Sequence, residues 1–134
     1  MEEKIFKTIE LENNQTLVIY DRSREIAADG YVVIMGARME IQIQKGLFDG
    51  EPPLNPNFEE IQAVLGTSFC YEYTKERNMI RALEKEEIFE NLVETFLKNM
   101  GPYMARSSFP KKLILKEYRE RIENKNKRKI QHPG

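Results

Sequence analysis

Hydrophobic and polar positions alternate most clearly from Tyr31 to Gln44, YVVIMGARMEIQIQ. Every odd position from Tyr31 to Ile43 is apolar or small, while the even positions run Val32, Ile34, Gly36 and then Arg38, Glu40, Gln42, Gln44. A period of two describes a strand with one face in a core. The change along the even face predicts a first half covered on both sides and a second half open to water. Gly36 inside the strand predicts a bulge or a close backbone approach.

The same reasoning, taken along the chain, predicts the elements around this strand. Ile5 to Glu12 and Thr16 to Asp21 read as two strands joined by the turn Asn13-Asn14-Gln15, an antiparallel hairpin. Ser23 or Asp21 is placed to cap a short helical turn over Arg24 to Ala28, and Asp29-Gly30 is a turn signal before the long strand. Residues 45–57 carry Gly46, Gly50, Pro52, Pro53 and Pro56 and read as a loop. Asn57 with Glu60 has the spacing of a capping box, and Phe58, Ile61, Val64 and Leu65 follow at helical spacing up to Gly66, giving a short helix over 57–65. Thr67 to Tyr73 alternates again and reads as a strand whose aromatics face the long strand.

The period then becomes helical. Ile88, Phe89, Leu92, Val93, Phe96, Leu97 and Met100 make one stripe, ended by Gly101-Pro102. A last helix opens at Ser107 or Ser108 with Pro110 in its first turn, and takes its apolar face from Leu113, Ile114, Tyr118 and Ile122. Strands first and helices last imply an α+β fold. The expected architecture is an antiparallel sheet of about four strands, with the N-terminal hairpin, the long strand 31–44 and the strand 67–73. The short helix and two C-terminal helices pack on one face. The chain reads as one domain over 1–123 with a disordered basic tail over 124–134.

Composition narrows the chemistry. The chain has 134 residues and a net charge of −1. Lys111 to Lys129 holds nine Lys/Arg against three Glu, so the rest of the chain is acidic. No apolar run reaches the ~18 residues of a membrane span, and the N-terminus shows no apolar signal core. The one cysteine, Cys70, precludes an internal disulfide and fits a cytoplasmic protein. It reads as a small core residue on its strand. The one histidine, His132, precludes a histidine-based triad or multi-histidine metal site within a chain.

Four groups of residues are candidates for function. Arg22, Arg24 and Arg38 form a candidate ligand or anion site, since loop arginines beside a strand end can grip phosphate or carboxylate. Asp21-Arg22-Ser23 matches the opening of the turn in PilZ-type cyclic-dinucleotide receptors, but Ile26 stands where that turn requires Gly, and no Arg-x-x-x-Arg precedes it. Glu84, Glu86, Glu87, Glu90 and Glu94 read as a solvated helix face, because di-metal carboxylate sites need helical Glu-x-x-His. The basic C-terminal segment could hold a nucleic acid by phosphate neutralisation, though the sequence pI of about 6.0 argues against it. The glycines form no phosphate-cradling motif. No catalytic, cofactor or metal residues are therefore assigned.

The blocks DRSREIAADGYVV, ARMEIQI, YEYTKERNMI and FPKKLILKEYRE together resemble a family of small uncharacterised single-domain bacterial proteins. That resemblance implies a compact cytoplasmic α+β domain and assigns no site. The sequence reading is a protein-interaction or regulatory module, compatible with self-association through a free sheet edge or the helix pair. The alternatives are an enzyme using Asp/Glu, Tyr or Cys70 in a sheet–helix pocket, and an anionic-ligand or nucleic-acid binder.

Overall fold

The computed structural model describes residues 3–48 and 57–131. The proline-rich part of the expected loop, 49–56, and the end of the chain with His132 lie outside the described residues. The architecture is α+β, built on an open antiparallel sheet. The strands are β1 (Lys4–Glu10), β2 (Thr16–Asp21), β3 (Arg24–Ala27), β4 (Gly30–Gln42) and β5 (Ser68–Ile80), and the helices are α1 (Phe58–Leu65), α2 (Lys85–Met104) and α3 (Phe109–Gln131). The described residues divide into two compact units, one within 1–40 with 70–107 and the other within 41–69 with 108–134.

In the first unit β4 is the central strand, as the alternation predicts. β2 pairs with it through Val18–Arg38 and Tyr20–Gly36, β3 through Arg24–Val32 and Glu25–Tyr31, and β5 also pairs with β4. The odd positions Val33, Met35, Ala37 and Met39 are buried with Leu17 and Ile19 of β2. On the even face Val32 is buried, Arg38 half-buried and Glu40 exposed, the predicted gradient.

The expected helical turn over Arg24 to Ala28 is instead β3. Asp29 takes the left-handed backbone (φ 50°) that closes a tight hairpin to Gly30. Ser23 caps no helix. Its N–H donates to Asp21 Oδ1 at 2.9 Å, and its Oγ accepts from Ile34 N–H at 3.0 Å, which ties the break between β2 and β3 back to β4. Tertiary pairing wins over local helix preference here.

β5 also runs past Tyr73 to Ile80, because β4 offers a ladder long enough to hold the polar stretch TKERN in the sheet. α2 continues past Gly101-Pro102 to Met104. Pro102 falls in the last turn, where its missing N–H costs a single helical bond. The Asn13 side chain then serves the helix end, donating at 2.8 Å to the carbonyls of both Met104 and Arg106.

α2 lies against the inner face of the sheet. Phe89 meets Phe6 of β1 edge-on, with ring centroids 4.9 Å apart, and Phe96 stacks on Tyr73 of β5 at 4.8 Å. Tyr73, expected to pair across to the long strand, therefore engages α2. Burying a large apolar side chain contributes about 1.5–3 kcal/mol, so the stripe from Phe89 to Phe96 is the main attachment of this helix.

In the second unit α1 opens as the capping-box spacing predicts, with Glu60 N–H donating to Asn57 Oδ1 at 2.9 Å. Gly66 ends it at φ 83°, a backbone that favours glycine. Lys45–Phe48 forms a 3-10 turn where only loop is expected, and Phe48 packs edge-on against Phe58. α3 buries Phe109, Pro110 and Ile114. Its backbone stays helical through Gln131, past Glu123 where the packing signal ends. The stretch NKNKRKIQ has neither Gly nor Pro, and its Lys, Arg and Gln are good helix formers.

Candidate functional site

Three places in the first unit combine polar groups with a defined shape. The first is on the sheet at Gly36. A Cβ built on Gly36 would meet the Arg22 guanidinium carbon at 3.0 Å and Nε at 3.1 Å. Glycine at this position therefore lets the Arg22 side chain lie on the strand, a side-chain approach where the sequence suggests a bulge or a backbone approach. Arg38 sits beside it, and both arginines lie over the Tyr20 ring, with guanidinium carbons 5.8 and 4.7 Å from its centroid.

Two carboxylates complete this group. Arg22 Nε donates to Glu3 Oε1 at 2.6 Å and Arg22 Nη2 to Glu72 Oε1 at 3.2 Å. Arg38 Nε donates to Glu72 Oε1 at 2.9 Å and Arg38 Nη2 to Glu3 Oε1 at 3.3 Å. The hydrogen bond from Arg38, followed by the one from Arg22, holds the Glu72 carboxyl below its ordinary range. The bond to Glu72 in turn raises Arg38. The structure thus brings Arg22 and Arg38 together and leaves Arg24 apart, exposed on β3. Two positive and two negative groups cancel, so an incoming anion would have to displace Glu3 or Glu72. This arrangement is a neutral clamp joining the N-terminal residues, β2, β4 and β5.

Cys70 lies on β5, exposed instead of in the core. Partial burial, and then the charge of Glu72, raise its thiol above the ordinary value, the opposite of what a reactive thiolate needs.

The second place is a groove of about 350 Å³ between β5 and α2. Tyr73, Lys75 and Arg77 form its β5 side. Two rows of α2 form the other, Ile88, Leu92, Phe96 and Met100 in one and Asn91, Thr95 and Asn99 in the second. Both rows follow the four-residue spacing that stacks side chains along a helix. Lys75 and Arg77 are exposed, and neither pairs with a carboxylate among the described residues. The sequence reading missed this groove because the strand it places over Thr67 to Tyr73 stops short of Lys75 and Arg77. The signal available was the Asn91, Thr95, Asn99 row flanking the apolar stripe.

A cleft of about 380 Å³ opens near the start of α2, with Lys4, Lys85, Asp21, Glu86 and Glu90 around Phe6, Phe89 and Tyr31. Lys85 Nζ stands 4.6 Å from the centre of the Tyr31 ring. Mixed charges give this cleft no dominant sign. Among the described residues no group of three His, Cys, Asp or Glu is placed to hold a metal ion, and no helix is long and apolar enough to cross a membrane. The basic residues of α3 are strung along a helix, where Arg121 Nε bonds Glu117 at 3.0 Å. Comparison with protein-family models, with curated proteins and with solved structures finds no match.

Proposed function

We propose that this chain is a protein-interaction module and that the groove between β5 and α2 is its docking surface. The observation that carries this reading is the layout of the groove. Its apolar and polar groups are strung in parallel rows along α2, spanning about 18 Å at 1.5 Å per residue from Ile88 to Met100. A small-molecule site instead gathers a few polar groups around one enclosed point. Among the described residues the lining holds no His, Cys, Asp or Glu, and its Tyr73 and Lys75 stand without the partner group that acid–base or nucleophilic catalysis sets beside them. A linear protein segment matches rows of this kind. The single exposed cysteine suits a reducing, cytoplasmic setting.

Selection of a displayed random 15-residue peptide library on the full chain tests the reading. Enriched peptides should lose binding to the Thr95→Trp variant, whose indole fills the groove from an exposed position without entering the core. Peptides that bind that variant as well as the parent chain, or a selection that enriches nothing, refute the docking surface.

A further inference from the structure

We infer that the segment this groove receives is an acidic amphipathic helix of a separate protein, an inference that rests on the groove being a docking surface. Charge is the first argument. Among the described residues the lining contributes Lys75 and Arg77 and no carboxylate, in a chain whose net charge is −1. Two cations with no carboxylate partner among the described residues, set beside an apolar strip, complement a helix with apolar residues on one face and Asp/Glu along the flank.

Shape is the second. Strands lie about 4.8 Å apart, so β1, β2, β4 and β5 present a face roughly 19 Å wide, and one helix is about 10 Å across. α2 touches both Phe6 and Tyr73, so it crosses this face and leaves a wedge beside β5. The rows at four-residue spacing on its wall are the ridges into which another helix packs. An added strand fits less well, because Glu72, Lys75, Glu76 and Arg77 place charges along β5, a common protection against strand addition.

The chain's own helices are poor occupants. α1 and α2 already bury their apolar faces, with Ile61 and Leu65 in one and Phe89, Leu92, Val93 and Phe96 in the other. α3 carries Lys111, Lys112, Lys116, Arg119 and Arg121, which Lys75 and Arg77 would repel. A second copy of the chain offers the same helices.

The test is fluorescence anisotropy of labelled 18-residue peptides with the full chain at about 20 mM and 150 mM salt. One peptide is an amphipathic helix with Leu on one face and Glu on the other. Its twin carries Lys for Glu, and a third carries the acidic composition with a central proline. The acidic helix should bind at least tenfold more tightly than its twin and its proline form, and less tightly at the higher salt. Lys75→Glu with Arg77→Glu, both at exposed positions, should weaken it about tenfold or more and turn the preference toward the Lys twin. Equal binding of the acidic and basic helices, or no binding of the acidic one, overturns the inference. Equal binding of the proline form overturns the helix. If library peptides of other composition still lose binding on Thr95→Trp, the docking surface stands while this inference fails. A dimer seen by light scattering and abolished by Thr95→Trp would make the occupant a second copy and overturn the separate partner.

Discussion

Phe96 is the residue through which α2 is most directly tied to the edge of the sheet. It is 4% exposed and stacks on Tyr73 with an interplanar angle of 28°. Phe96→Ala removes the transfer free energy of the ring and leaves a space behind it. Such changes cost about 3–5 kcal/mol in well-packed cores. Here the vacated space opens into the groove that Phe96 itself lines, so water can enter it and the lower end, about 3 kcal/mol, is expected. Phe96→Leu keeps most of the volume and removes the ring pair, worth about 0.5–1.5 kcal/mol beyond area burial. A cycle of Phe96→Leu, Tyr73→Leu and the double variant should return a coupling of that size. Guanidinium unfolding followed by near-ultraviolet circular dichroism measures these values. At a slope of about 3 kcal/mol/M, Phe96→Ala should lower the midpoint by roughly 1 M without changing the slope. A loss below about 1 kcal/mol together with zero coupling would refute the attachment of α2 to β5 through these rings.

Two further outcomes follow from the polar contacts. The Glu72 carboxyl, held below its ordinary 4.5 first by Arg38 and then by Arg22, favours the folded state at pH above that value. Its contribution fades as pH falls through the lower folded value. Carbon-13 NMR should show Glu72 titrating below the ordinary glutamate value of 4.5, with its midpoint rising in Arg38→Ala; an unchanged midpoint there would contradict the clamp. Asn57→Ala removes the acceptor that caps α1 and should cost about 0.5–2 kcal/mol, while Asn57→Asp retains most of the stability. Amide exchange at Glu60 that stays as slow in Asn57→Ala as in the parent chain would exclude the cap.

Much of the fold is legible in the sequence because hydrophobic period and backbone chemistry agree over long stretches. Tyr31 to Gln44, Phe58 to Leu65 and Ile88 to Met100 each carry one dominant period, and each becomes the expected element. The misread stretches are those where a long-range partner decides. Arg24 to Ala27 has nothing local to mark a strand until β4 lies beside it, and Thr74 to Asn78 is polar on both faces. Cys70 shows the same limit, since alternation alone does not say which side of a strand is covered. Gly36, Arg22 and Arg38 are legible as neighbours because an internal glycine invites close approach. That Glu3 and Glu72 neutralise them is not, because both lie far from them in sequence. The groove depends on how α2 crosses the sheet, an angle no periodicity encodes.

The Asn13 contact has a consequence for the order of folding. Asn13 reaches Met104 and Arg106 across 91 and 93 residues of sequence. The β1–β2 hairpin is local and can close within microseconds of its synthesis, but its tip has nothing to hold until the end of α2 exists. Contacts of such separation slow folding, because a long loop must be closed before they return anything. During synthesis the hairpin therefore waits, with Phe6 uncovered, while most of the sheet and the whole of α2 emerge. The interval is a window for misassembly, and it closes only when the turn after α2 reaches the hairpin tip.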